Sequence, residues 1–362
     1  MSEPIFRRDF ILGAAAAAAG CTHTPRQAMR PDSIDWVRAA PPDSSAARSL
    51  FALLSERDTT SLMVVHRGRV IASYGDERLN SYLASARKSL VSMIFGSSVA
   101  RGIIDLDTTL ETLGFDDIGG LLAIERTATI RQLLMARSGI YHRAANLGDA
   151  SDLAPARGSV HPGEYFLYNN WDFNALGAIF EKLTGRGLYQ AFAEDIARPI
   201  GMQDWDIGLQ PVRNDTGESR HPAQHFVLST RDMARVGVLM LQDGDWGRRQ
   251  ILPRAWITLT TRVVTPAAEV ARTSPFIDGL GYGYLWWIFD PAADWDGGLK
   301  GGYTASGAFG QFITVLPALD LVVAHKTQAP SKLNVTPQQY FAEILPAATR
   351  LVRRPDLVSS NG

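Results

Sequence analysis

Ser85-Ala86-Arg87-Lys88, running on into Leu90, Val91, Met93, Ile94 and Phe95, is the stretch around which the chain is organised. A helix starting at or just before Ser85 puts residues i and i+3 on one face, so the Ser85 hydroxyl and the Lys88 amine can meet. A serine hydroxyl is unreactive until a neighbour takes its proton. Lysine serves when burial draws its pKa down from about 10.4 toward neutrality. The helix N-terminus adds unpaired N–H groups and a positive dipole end, which favour an oxyanion forming beside Ser85. The apolar run after Lys88 fits a helix buried through the middle of a domain. On its own the S-x-x-K spacing is a weak signal, expected by chance about 0.3 times in such a chain.

The 362 residues, 46% hydrophobic and 20% charged, form an ordinary globular composition, long enough for one large domain or two interleaved ones. A formal net charge of −1 offers nucleic acid no basic surface, so a small or neutral partner is expected. No stretch after the N-terminus has the roughly 18 uninterrupted apolar residues of a spanning helix.

The N-terminus reads as an export signal over residues 1–21. Arg7-Arg8-Asp9-Phe10 precedes Ile11-Leu12-Gly13 and the alanines Ala14 to Ala19, the twin-arginine pattern. The sole cysteine, Cys21, follows Ala18-Ala19-Gly20. This resembles a bacterial lipoprotein signal, although Ala18 stands where that pattern usually has Leu. The resemblance implies lipidation of Cys21 and a periplasmic protein that meets the membrane only through that lipid. One cysteine also excludes an intrachain disulfide.

Residues 22–45, rich in Pro, Ala, Ser and Arg, are expected to form a flexible tether, residues 46–352 the domain and 353–362 a tail. Ala46 to Leu54 reads as a first helix. Leu62 to His66 and Val70 to Tyr74 across Arg67-Gly68-Arg69 form a hairpin signature. From about 102 to 272 the pattern is mainly helical, an inserted lobe. Within it Thr129 caps Ile130 to Ala136, the stripe Phe173, Leu176, Phe180 and Leu183 ends at Gly185, Ser229 with Asp232 resembles a capping box, and Pro253 opens a short helix. Strands return at Tyr282 to Phe289, Gly310 to Leu316 and Leu319 to Ala324. A last helix runs from Thr336-Pro337 to about Leu351, kinked at Pro346. The order implies an α+β fold: one antiparallel sheet built from both chain ends, with the Ser85 helix between sheet and lobe.

Two further stretches could join Ser85. Tyr168-Asn169-Asn170 follows the turn His161-Pro162-Gly163-Glu164 and precedes the Phe173 helix, so Tyr168 sits on a loop held by rigid structure. A phenolate beside an ammonium group could accept the Ser85 proton and pass it on, and Asn170 could hold either Lys88 or a substrate carbonyl. Gly301 to Gln311 contains Ala305-Ser306-Gly307-Ala308 entering a strand. The Ala308 strand edge and the Ser85 N–H could together form an oxyanion hole.

S-x-x-K, Y-x-N some eighty residues on, and a small-residue stretch ending in Gly at a late strand resemble the serine β-lactamase and penicillin-binding protein superfamily. The closer likeness is to its class C-type branch with carboxylesterases, D-aminopeptidases and 6-aminohexanoate-dimer hydrolases. Leu133 to Gly139 and Pro199-Ile200-Gly201-Met202 look like that branch too, and the likeness covers about Leu50 to Leu351. It implies a β-lactamase/transpeptidase-like fold, with Ser85 as acylated nucleophile, Lys88 and Tyr168 as the general base pair, Asn170 as a positioning group, and Ser85 and Ala308 as oxyanion donors beside Ser306 and Gly307. No cofactor or metal is implied.

One departure bears on substrate. Where antibiotic-processing members carry Lys-Thr-Gly or His-Thr-Gly, this chain has Ala305-Ser306-Gly307, which removes the cation facing a substrate carboxylate. Such a charge-assisted bond is worth about 1.5–3 kcal/mol, roughly ten- to hundredfold in recognition. Lys326-Thr327-Gln328 follows the expected strand and lacks the glycine, whereas Arg143 or Lys300 could supply the charge.

The leading expectation is therefore an exported serine hydrolase acting on a small-molecule ester or amide. The alternatives are a β-lactamase or D-Ala-D-Ala carboxypeptidase and a non-catalytic envelope binding protein. No G-x-S-x-G elbow or H-E-x-x-H occurs. Gly279-Leu280-Gly281-Tyr282-Gly283 precedes a strand, unlike a dinucleotide loop, and Asp105-Leu106-Asp107 reads as a turn. The histidines His66, His142, His161, His221, His225 and His325 read as surface or core residues.

Overall fold

A computed structural model describes residues 35–146, 151–274, 278–296, 298–327 and 334–352. The signal with Cys21, the first part of the tether, Gln328 and the tail 353–362 lie outside the described residues.

Seven antiparallel strands make the sheet: β1 (Thr59–His66), β2 (Arg69–Gly75), β3 (Leu280–Tyr282), β4 (Trp287–Phe289), β5 (Tyr303–Gly307), β6 (Gln311–Leu316) and β7 (Leu321–Thr327). Their order is β2-β1-β7-β6-β5-β4-β3, so the N-terminal hairpin pairs with the last strand and closes the sheet from both chain ends. The β1–β2 hairpin turns on Arg67 and Gly68, both with positive φ. The principal helices are α1 (Ser44–Ser55), α2 (Arg87–Ala100), α3 (Ile130–Leu134), α4 (Asn170–Thr184), α5 (Thr230–Leu241), α6 (Arg254–Thr260) and α7 (Leu345–Arg350). The architecture is the expected α+β one.

Helix α2 is buried on every side from Arg87 through Gly96, as its nearly continuous apolar run requires, and it packs against α4, α6 and β5. A Cβ on Gly96 would stand 2.6 Å from the Trp256 ring, so α2 and α6 touch through that glycine. The Trp256 indole N–H donates to the Ser92 carbonyl at 3.0 Å across the same contact.

Four details differ from expectation. The tether is shorter than residues 22–45, because Val37 and Ala39 hydrogen-bond to Val70 on β2 and Trp36 is buried beneath Arg235. Tyr282 to Phe289 is two strands with a turn at Leu285, where φ is +63°. A Cβ on Gly283 would meet the Thr260 carbonyl at 2.2 Å, so the chain bends there against α6. The lobe over 102–272 is also not purely helical. It carries two-residue ribbons, and α5 packs on β1, β6 and β7, with a Cβ on Gly237 only 2.4 Å from Val322. Finally, β7 continues through Thr327, so Lys326 lies inside the strand.

Several ends behave as their capping residues dictate. Thr129, Ser229 and Thr336 cap their helices and Gly185 ends α4 in the left-handed region, whereas Pro253 is not the first helical residue of α6 but stands one residue before it, at the N-cap. A π-helical turn over Tyr340–Ile344 precedes Pro346, taking up the extra residue where the proline ring would strike an upstream carbonyl.

Candidate active site

Ser85 occupies a 3-10 turn, Ala84–Ala86, that leads directly into α2. Ala84 is held at φ +48°, a region costly for a residue with a Cβ, so the turn presenting the serine is strained. The Leu83 N–H anchors it to the Phe226 carbonyl at 2.9 Å. Three residues on, Lys88 is 2% exposed and its Nζ donates to Ser85 Oγ at 3.1 Å and to the Tyr168 hydroxyl at 2.7 Å. A hydroxyl, an amine and a phenol separated along the chain therefore converge.

Tyr168 lies in the loop before α4, as its neighbours suggest. Its ring is walled by Phe173 at 5.0 Å, Trp287 at 5.2 Å and, edge-on, Tyr282 at 6.1 Å. The helix cap is Asn169, which accepts from the Asp172 N–H at 2.9 Å. Asn170 is the first helical residue, and its Nδ2 donates to the Asn146 carbonyl at 3.3 Å.

The third stretch reaches the same place from the sheet. A Cβ on Gly307 would stand 2.3 Å from the Leu83 carbonyl oxygen and 2.9 Å from the Ala86 nitrogen, so the end of β5 lies flush on the Ser85 turn. Ser306 is buried beside it. Ala308 is not on a strand edge as expected; it is exposed in the turn after β5, where Phe309 and Gly310 have positive φ. The backbone N–H groups of Ser85, in its 3-10 turn, and of Ala308, just past β5, are the candidate donors to an oxyanion.

The proposed substitutes for a missing cation fall elsewhere. Lys300 precedes β5 at the end away from Gly307, roughly 20 Å along an extended strand, too far for a lysine stem. Arg143 is paired with Glu218 at the surface. Lys326 points its ammonium at the carbonyls of Leu79, Ser81 and Leu228, beneath the segment that leads to Ser85, and burial brings its pKa down to about 7.

Sequence reasoning missed a buried polar belt behind the site. The Arg87 guanidinium donates to the Gln224 carbonyl at 3.1 Å and to Asn174 Oδ1 at 2.8 Å, and Asn174 Nδ2 donates to Asn146 Oδ1 at 3.0 Å. The available signal was a second cation, Arg87, beside Lys88 at the start of a largely apolar helix. The histidines are structural: His142 and His221 flank the buried Asp117, which also accepts from the Trp171 indole, and His225 bonds Tyr82 at 2.8 Å.

Comparison with known proteins bears on the family and the fold. A family model described as Beta-lactamase matches residues 47–337. Monacolin J acid methylbutanoyltransferase of Aspergillus terreus is 31% identical over 159 residues, which is 35% of this chain and 38% of that curated relative. A structure described as a 6-aminohexanoate-dimer hydrolase from Bacillus anthracis aligns with TM-score 0.64 at 21% identity, over 89% of this chain and 88% of the other. EstCE1, described as a hydrolase with promiscuous acyltransferase activity, aligns with TM-score 0.60 at 16% identity, over 85% and 98%. At these identities the two structural likenesses are of fold alone.

Proposed function

Since the chain belongs to the Beta-lactamase family and is a serine hydrolase of that family, we propose that it cleaves a small ester or neutral amide through an acyl-enzyme on Ser85. The observation that carries this reading is Lys88 Nζ bonded at once to Ser85 Oγ and the Tyr168 hydroxyl. Ser85 Oγ attacks the substrate carbonyl carbon while its proton passes to the Lys88–Tyr168 pair. The carbonyl oxygen, now negative, is held by the N–H groups of Ser85 and Ala308, and the leaving group departs with the proton. Water attacking the acyl carbon then returns the proton by the same route and frees Ser85.

Ala305-Ser306-Gly307 supports a substrate without a carboxylate at the position where a Lys-Thr-Gly lysine would meet one. A fluorophosphonate probe should label Ser85 and leave Ser85→Ala unlabelled, and equal labelling of both would defeat the assignment. Simple esters are expected to turn over faster than nitrocefin or D-Ala-D-Ala peptides; the reverse order would favour the β-lactamase or carboxypeptidase alternative, and no turnover of any would favour a binding protein.

A second reading is acyl transfer, in which an alcohol replaces water in the second step. The acyltransferase among the curated relatives supports it. Added alcohol diverting product from acid to ester would establish it.

The N-terminal pattern supports export by a twin-arginine signal, with Cys21 lipidated at the periplasmic membrane face. Radiolabelled palmitate incorporated into the chain but not into Cys21→Ala is the expected result.

A further inference from the structure

Asp172 lies four residues beyond Tyr168, in the first turn of α4, and is fully buried. Its Oδ1 accepts the Ser138 hydroxyl at 2.6 Å, and Ser138 Oγ in turn accepts the Ile140 N–H at 3.0 Å. The neighbouring Ala136 carbonyl accepts the Leu167 N–H at 3.0 Å. The carboxyl therefore ties the 136–140 segment to the first turn of α4, and the Leu167–Ala136 bond ties the same segment to the loop that carries Tyr168.

Asp172 Oδ2 has no partner among the described residues, and neither do the buried hydroxyls of Tyr141 and Tyr282. Both phenols feel the Asp172 charge, and Tyr282, whose ring meets Tyr168 edge-on, also feels Tyr168. The other ionisable groups on the surrounding elements are Lys88 on α2, which touches Tyr168, Arg137 and Tyr165, which act on Tyr141, and Asp117, His142 and His221, which gather on the adjacent Trp171. Among the described residues Asp172 forms no ion pair. A carboxylate buried without a cation and with one oxygen unpartnered is costly, and protonation removes that charge.

We propose that Asp172 is a positioning residue for Tyr168, holding its loop as an uncharged carboxylic acid whose ionisation disables the phenol. A negative charge on Asp172, which acts on the same Tyr282 as Tyr168 does, opposes phenolate formation, so the site works only while Asp172 keeps its proton. Burial supports this, pushing the Asp172 pKa up to about 8, while bonds from the Ser138 hydroxyl, the Asn169 side chain and the Ser138 N–H pull the other way. The inference rests on the acyl-enzyme reading for its catalytic consequence but not for the protonation itself.

The test is the pH–rate profile of a chromogenic ester, with infrared difference spectroscopy of the carboxyl. Wild-type kcat should fall above about pH 8, and Asp172→Asn, which keeps an uncharged hydrogen-bonding group, should lose that fall. Ser138→Ala, by removing a bond that favours the carboxylate, should move it to higher pH. Asp172→Ala should be slowed more than tenfold relative to Asp172→Asn. A basic limb unmoved in both Asp172→Asn and Ser138→Ala overturns the proposal. The spectrum should carry a protonated-carboxyl band at pH 7 that vanishes in Asp172→Asn, and its absence overturns the proposal whether or not the enzyme turns over. Failure of the acyl-enzyme reading is read separately, as absence of fluorophosphonate on wild-type Ser85.

Discussion

Gly307 and Leu83 touch backbone to backbone: a Cβ on Gly307 would come within 2.3 Å of the Leu83 carbonyl oxygen. This contact sets the end of β5 against the turn that presents Ser85. Gly307→Ala must push strand and turn apart. Overpacking of this kind costs about 1–3 kcal/mol, and a displacement near 1 Å at a reacting centre costs about 10² in rate. Calorimetry and ester turnover should show both losses, whereas a wild-type kcat would mean the contact is incidental.

Removing either member of the base pair should stop the chemistry without unfolding the chain. Lys88→Ala and Tyr168→Phe are each expected to lower kcat by about 10² or more, as loss of a general base does. Circular dichroism checks the fold, and near-wild-type turnover in either variant would contradict the role.

Acid should destabilise the fold through two buried imidazoles. Burial lowers His325 to about 4, and burial with the charges of Arg87, Arg213 and Lys88 lowers His225 to about 3. Because both lie below the usual value of 6.5, the stability tied to their neutral forms is complete above that pH. It is lost as pH falls toward 3 to 4, by on the order of 1 kcal/mol per unit for each group. His325→Gln should flatten part of the decline in urea midpoint between pH 7 and 5; an unchanged decline would exclude His325 as its source.

Asp172 predicts the opposite slope. Its folded pKa lies above its unfolded one, so its contribution is complete below about pH 4 and lost as pH rises to about 8. Asp172→Asn should therefore gain stability relative to wild type across that interval. A difference between the two that does not vary with pH would show the carboxyl to be ionised throughout.

Gly237 offers a control remote from the chemistry. A methyl group there meets Val322 on β7 at 2.4 Å, so Gly237→Ala should lower the melting temperature through a cost of about 1–3 kcal/mol. The folded variant should keep wild-type kcat.

Spacing was enough to pair Ser85 with Lys88, the family resemblance added Tyr168, and the order of apolar runs was enough to expect a sheet closed by both chain ends. These depend on local rules: i and i+3 share a helical face, alternating apolar runs make strands, and Thr129, Ser229 and Gly185 bound helices wherever the chain later packs. The register of β1 on β7, the Ala308 turn, the burial of Lys326 under Leu228 and the desolvation of Asp172 were not legible. Each depends on what faces a residue from a distant part of the chain. A lysine at the end of an apparent strand and an aspartate in a helix's first turn look like ordinary surface residues until packing removes the water around them. The sequence alone determined which groups could react; only the tertiary structure decided which of them are dry, because desolvation belongs to the assembled interior and to no local stretch.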